Sequence, residues 1–170
     1  MRTPVKNRSD VAQWLGGAVG AVLMVLSCAP TLAGELYRLN HQGIERRFVV
    51  HNGAAADSAP APVVVHVHGY RSKETVVAAG DDLSWAEWPA LNRVADRDGF
   101  AIVYPTARFG KWSLTDGMKN AATDDGRALD DVGFILGAVQ AVVDAGLADP
   151  MRVYLTGFSE PGSLALIIKG

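Results

Sequence analysis

From residue 60 onward, short runs of β-branched residues alternate with longer segments of helical period, and that alternation leaves few folds open. "PVVVHVHGY" closes a valine-rich run on a glycine, the pattern of a buried strand. "SWAEWPALNRVADRDG" repeats Trp85, Trp88, Leu91 and Ala95 at helical spacing. Ser84 is placed to cap that helix, Pro89 falls in its first turn and Gly99 near its end. "FAIVYP" is a second apolar strand, stopped by Pro105. A long polar loop then leads to "DDVGFILGAVQAVVDAG", a helix begun by Asp130 or Asp131, whose carboxylates suit free amides and the positive helix end. Asp149-Pro150 reads as a turn before a third strand, "RVYLTGF". Upstream, "ELYRLNHQGIERRFVVHN" reads as two strands around a turn at His41-Gln42-Gly43, and "GAAADSAPAP" as a loop. The order predicts an α/β fold, a mostly parallel sheet flanked by helices.

The chain has 170 residues, enough for one domain with a real core. Its net charge of -2 gives no support for a nucleic-acid partner, which shows as a basic face. Residues 1–33 read as a secretory signal: Arg2, Lys6 and Arg8 precede an apolar stretch that ends in small residues. Two exits are open. Thr31-Leu32-Ala33 permits cleavage before Gly34. Alternatively, "VLSC" resembles a bacterial lipoprotein box, in which Cys28 is lipidated. Cys28 is the only cysteine, so no internal disulfide forms. A secreted or periplasmic location is expected, with membrane attachment only through a lipidated Cys28.

Ser159 stands at the end of "RVYLTGF", just before what reads as a helix. A sharp strand-to-helix turn exposes a serine hydroxyl above a sheet and points fresh amides and the helix dipole at it. Gly157 is present two residues before, but Pro161 replaces the glycine expected two residues after. Proline at 161 either distorts Glu160, the residue before it, or sits comfortably in a first helical turn. A second motif, His68-Gly69-Tyr70, ends the earlier strand. Acyl transfer needs two preorganised amides for the developing oxyanion. Glu160, after the serine, and Tyr70 are placed to give one each, because parallel strand ends meet at one sheet edge.

These pieces together resemble the secreted esterases of the polyhydroxybutyrate depolymerase family, α/β-hydrolases that include feruloyl and acetylxylan esterases. The matching segments are "PVVVHVHGY", "ALNRVADRDGFAIVYPTA", the Trp112 region, "DDVGFILGAVQAVV" and "DPMRVYLTGFS", which span most of residues 60 to 159. The resemblance implies that residues 34–170 form the N-terminal part of an α/β-hydrolase domain. It makes Ser159 the nucleophile and the backbone amides of Tyr70 and Glu160 the oxyanion donors, with no cofactor. It puts Asp131 in a structural position, not that of the triad acid. The implied substrate is an ester, whether polymer, aryl or acetyl. Such esterases carry their acid and histidine after the serine, in the order Ser, Asp, His. Here neither residue type follows Ser159, and His41, His51, His66 and His68 all precede it. The expectation is therefore a chain truncated after the nucleophile turn and inactive as it stands. The alternative is a non-catalytic binding remnant of the same fold.

His66 and His68 form a His-Xaa-His pair on one strand face, but no further ligand motif accompanies them, and no metal is assigned. "DDGRALDD" lacks the ligand spacing of a calcium loop. Trp85 and Trp88 read as core residues at helical spacing. Trp112, in the long loop, reads either as core or as facing substrate.

Overall fold

The computed structural model describes residues 34–53, 60–113 and 126–159. The expected signal segment, Cys28 with its two exits, Glu160 and Pro161 lie outside the described residues.

Strands β1 (Glu35–His41) and β2 (Ile44–Asn52) form a hairpin. Gln42 and Gly43 between them both have positive φ, at 55° and 76°. Two left-handed residues in a row match the right-handed twist of the flanking strands, the reason such tight turns favour hairpins. Then follow β3 (Ala61–Val67), α1 (Lys73–Ala79), α2 (Pro89–Asp98), β4 (Ala101–Pro105), α3 (Asp131–Asp144) and β5 (Ala148–Gly157). The sheet order is β1-β2-β4-β3-β5. β3 runs parallel to both β4 and β5, while the hairpin joins through antiparallel β2–β4 pairing. The expected parallel sheet is thus one end of a mixed one, three strands with β5 at the edge among the described residues.

Period-two alternation assigns each face. Val63, Val65 and Val67 of β3 join Val103, Phe48 and the α3 residues Phe134, Ile135, Ala138 and Val142 in one core layer. Ile102 and Tyr104 point the other way and pack with Val49, Leu83 and Ala95 beside α2. Helices therefore lie on both faces, burying β3 and β4 as parallel strands require, while β5 at the edge stays largely exposed among the described residues. Asp130, not Asp131, caps α3: its Oδ1 accepts from the Gly133 amide at 2.7 Å. A cap of this kind is worth about 1 kcal/mol.

Asp131 does different work. It is fully buried, and its carboxylate accepts from Arg46 Nη2 at 2.5 Å and from the Ser113 amide at 2.6 Å. One side chain thereby ties β2, α3 and the loop after β4 together. Burial pushes its carboxyl upward against the opposing pull of Arg46.

Three local expectations change. The helix does not run from Ser84; α2 begins at Pro89, with Trp88 extended at φ −117°, ψ 98°. Proline drives the residue before it out of helical geometry and itself suits the first helical position. Ser84, Trp85 and Ala86 form a separate turn ahead of it. Asp149 and Pro150 lie within β5, where the pairing jumps from Ala61–Ala148 to Val63–Val153. The turn chemistry is spent on an irregularity inside the strand, with Asp149 Oδ1 accepting from the Met151 amide at 2.9 Å. Finally, α1 was not expected: only Val76 of its seven residues is buried, so it carries almost no apolar period. Its signals are its caps, Ser72 Oγ accepting from the Thr75 amide and Gly80 at φ 55°.

Candidate active site

The site is assembled where β3 and β5 end side by side. Their ladder runs to His66–Thr156 and Val67–Gly157, and the Phe158 amide extends it by donating to Val67 O at 3.1 Å. The next residue, Ser159, has φ 65°. A serine in that conformation is held at a cost of about 1–2 kcal/mol, which surrounding structure must impose. Immediately across from it lies Gly69. A Cβ added there would come within 3.2 Å of both Phe158 O and Ser159 Cβ. A residue without a side chain lets the two strand ends close to this distance without crowding.

The loop after Gly69 is fixed from several sides. Arg71 donates its amide to Gly110 O at 2.9 Å. Gly110 itself has φ 74°, and any Cβ there would run into the Arg71 carbonyl. Between these anchors sits Tyr70, 55 % exposed, and among the described residues nothing takes its amide hydrogen. Tyr70 thus stands one residue beyond the glycine that touches Ser159. Glu160 lies outside the described residues, so only one of the two expected oxyanion amides has a described position.

His68 holds the loop from beneath. Its Nδ1 bonds Gly69 O at 2.6 Å, and its Nε2 accepts from the Ala107 amide at 3.1 Å. These partners fix the proton on Nδ1. Trp112 Nε1 donates to His68 O at 2.8 Å, and the indole and imidazole centroids are 5.0 Å apart. Burial lowers the His68 pKa to about 4, against a smaller raising effect of Gly69 O. His68 is therefore a neutral structural strut. With both nitrogens committed it offers nothing to a cation or a serine proton.

Trp112 is buried and bonded to this strut, so of its two readings the structure supports the core one. Trp85 packs against the α2-side core as expected, while Trp88 does not, and both indoles wall a cavity of about 270 Å³ beside the turn, together with His66, Gly69 and Phe158. Trp88 is 50 % exposed. The helical spacing misled because Pro89 starts the helix after both indoles. His66 points toward α2, its ring 5.3 Å from Trp88 and 5.7 Å from Tyr104, and burial lowers its pKa.

No protein-family model and no curated protein sequence matches the chain. Solved structures do. An S-formylglutathione hydrolase from Agrobacterium tumefaciens superposes with a TM-score of 0.53 at 22% identity, covering 84% of this chain and 55% of that one. An ester hydrolase from the metagenome of Lake Arreo gives 0.51 at 15%, covering 84% and 40%. The fold is that of the α/β-hydrolases. An acylaminoacyl peptidase, with a TM-score of 0.50 at 18% identity, extends the likeness over 76% of this chain and 20% of that one. The chain spans about half the length, or less, of the α/β-hydrolase structures it matches. Within that fold, β3 with its Gly69-Tyr70 loop and β5 with its left-handed serine are the two elements that meet.

Proposed function

We propose that the chain is the nucleophile-bearing part of an exported serine carboxylic-ester hydrolase, similar to polyhydroxybutyrate depolymerases and related esterases. One observation carries this: Ser159, in left-handed geometry at the end of β5, packs directly on Gly69 at the end of β3. The hydrolase and ester-hydrolase names of two structures with the same fold support the reaction class.

In the reaction Ser159 Oγ attacks the ester carbonyl carbon, forming a C–O bond while the carbonyl electrons move onto oxygen. The Tyr70 and Glu160 amides receive that oxyanion. Collapse breaks the bond to the alcohol, which leaves with the serine proton. Water then adds to the acyl-enzyme, releases the acid and returns a proton to Oγ. Both proton transfers need a base, since a serine hydroxyl is a poor nucleophile at neutral pH. His68 is excluded by its two hydrogen bonds, and among the described residues no histidine bonds Ser159. We therefore assign the histidine and acid to sequence not contained in these residues, an assignment under which the 170 residues alone would not hydrolyse esters.

The test is to read the coding DNA through and beyond codon 170, express any continuing product and assay p-nitrophenyl butyrate hydrolysis. Activity that disappears in Ser159→Ala supports the assignment. Activity indifferent to that substitution, or an intact Asp- and His-bearing product with none, overturns it. The commitment of His68 to structure also favours a second reading, a non-catalytic binding module. That reading requires residues 34–170 to unfold cooperatively, and molten or aggregating material would sink it.

A further inference from the structure

The cavity beside the turn is walled by rings. Trp85 meets His68 edge-on at 4.9 Å between centroids, and Trp88 meets His66 tilted at 5.3 Å. Phe158 and Gly69 belong to the same wall, so the cavity adjoins the residue before Ser159 and the glycine packed against it. We propose that this cavity is an aryl subsite, taking one flat aromatic ring of the ester so that its carbonyl reaches the Gly69-Tyr70 loop. The role as a substrate subsite rests on the ester-hydrolase reading; the binding itself does not.

Size, surface and polarity each select this guest. An apolar cavity of about 150 Å³ holds benzene, so about 270 Å³ accommodates one ring with the first atoms of a linker. Aromatic walls favour stacked or edge-on rings at centroid distances of about 4.5–7 Å, which an aliphatic guest of equal volume does not exploit. A sugar ring would need several free hydrogen-bonding groups. The lining holds two charged side chains, and each already spends one group inside the protein: Glu87 Oε2 on the Gly34 amide and Asn92 Nδ2, Arg71 Nη1 on Tyr70 O. Both histidines are uncharged at neutral pH because burial lowers them.

The probe is 4-fluorophenol, titrated against the full chain and followed by fluorine NMR. Saturable binding is expected, with weak competition from cyclohexanol and none from xylose. Trp88 is half exposed, so Trp88→Ala leaves the core intact and should weaken binding about tenfold, the equivalent of one lost ring contact and its buried area. Trp88→Phe should restore most of it, and Ser159→Ala should bind like the parent. Equal competition by cyclohexanol, stronger competition by xylose, or parent-like binding by Trp88→Ala would overturn the subsite. Should Trp88→Ala lose its circular dichroism, Trp88→Phe and Trp88→Leu, compared with each other, decide the same point: equal affinity overturns it. If an active, continued product hydrolyses phenyl and cyclohexyl acetates equally, the subsite fails while the esterase reading stands. Aryl binding by a continued product without hydrolysis has the opposite meaning.

Discussion

Gly69 and Ser159 touch across the ends of two parallel strands: a Cβ built on the glycine lies 3.2 Å from the serine's own Cβ. That contact is tighter than side chains ordinarily tolerate, and on the Phe158 side the built atom meets the backbone carbonyl at 3.2 Å as well as ring carbon Cδ1 at 3.3 Å. Gly69→Ala must therefore push β5 away by a few tenths of an ångström. The expected cost is about 1–3 kcal/mol, typical of overpacking, read as a lowered denaturant midpoint at unchanged slope.

Ser159 occupies a positive φ of 65° without the freedom of glycine. Ser159→Gly should stabilise the chain by about 1 kcal/mol, whereas Ser159→Ala should be near neutral. Thermal unfolding of the two variants side by side checks this. A destabilised glycine variant would mean that the serine's hydroxyl, not strain, dominates at the turn.

His68 predicts an acid sensitivity. Its folded pKa is lowered to about 4 from 6.5, because burial opposes the charged form. The unfolded chain then takes up its proton first as pH falls. The stabilisation is whole above pH 6.5, drains away toward pH 4 and is gone below it. The full loss is about 3 kcal/mol from this residue. Protonation also puts a hydrogen on Nε2, facing the Ala107 amide it now accepts from. Urea midpoints at a series of pH values between 7 and 4 should fall steeply for the parent and less for His68→Gln.

Arg46 and Asp131 form a buried pair, with side chains 2% and 0% exposed. Removing only one leaves an uncompensated buried group, so Asp131→Ala should cost about 3–5 kcal/mol. The Ser113 amide loses its acceptor in the same step. The double change Arg46→Met with Asp131→Leu should recover much of that loss. A double-mutant cycle in urea measures the coupling, and simple additivity would show that the two residues act independently.

The central frame was readable because its signals are local and repeated. Val63, Val65 and Val67 declare a buried strand by composition, and the pair Asp130-Asp131 declares a helix start by the chemistry of free amides, although only the structure shows that Asp130 is the cap. The two elements that meet at Ser159 were readable for the same reason, each being an apolar run that closes on a glycine-bearing turn. The exposure of Trp88 was not, since helical spacing is silent on whether the helix has begun, and Pro89 decides that. Trp112 was open either way from sequence, because only tertiary contact with His68 O shows where its indole N–H goes. Helix α1 escaped because one buried valine makes no period. Gly110 escaped too: its need for a left-handed backbone under Arg71 arises from a residue 39 positions earlier in the chain.

The irregularity near the start of β5 reaches further than its position suggests. Asp149 bonds the Met151 amide and Arg152 Nε, and Arg152 Nη2 reaches back to Pro60 O, just before β3 begins. These bonds set the phase in which β5 lies along β3. Strand side chains alternate sides, so sliding that phase by a single residue would carry every group downstream to the opposite side of the sheet. The direction in which Ser159 faces is thus decided seven to ten residues earlier, by an aspartate and an arginine that never come near it in the ladder.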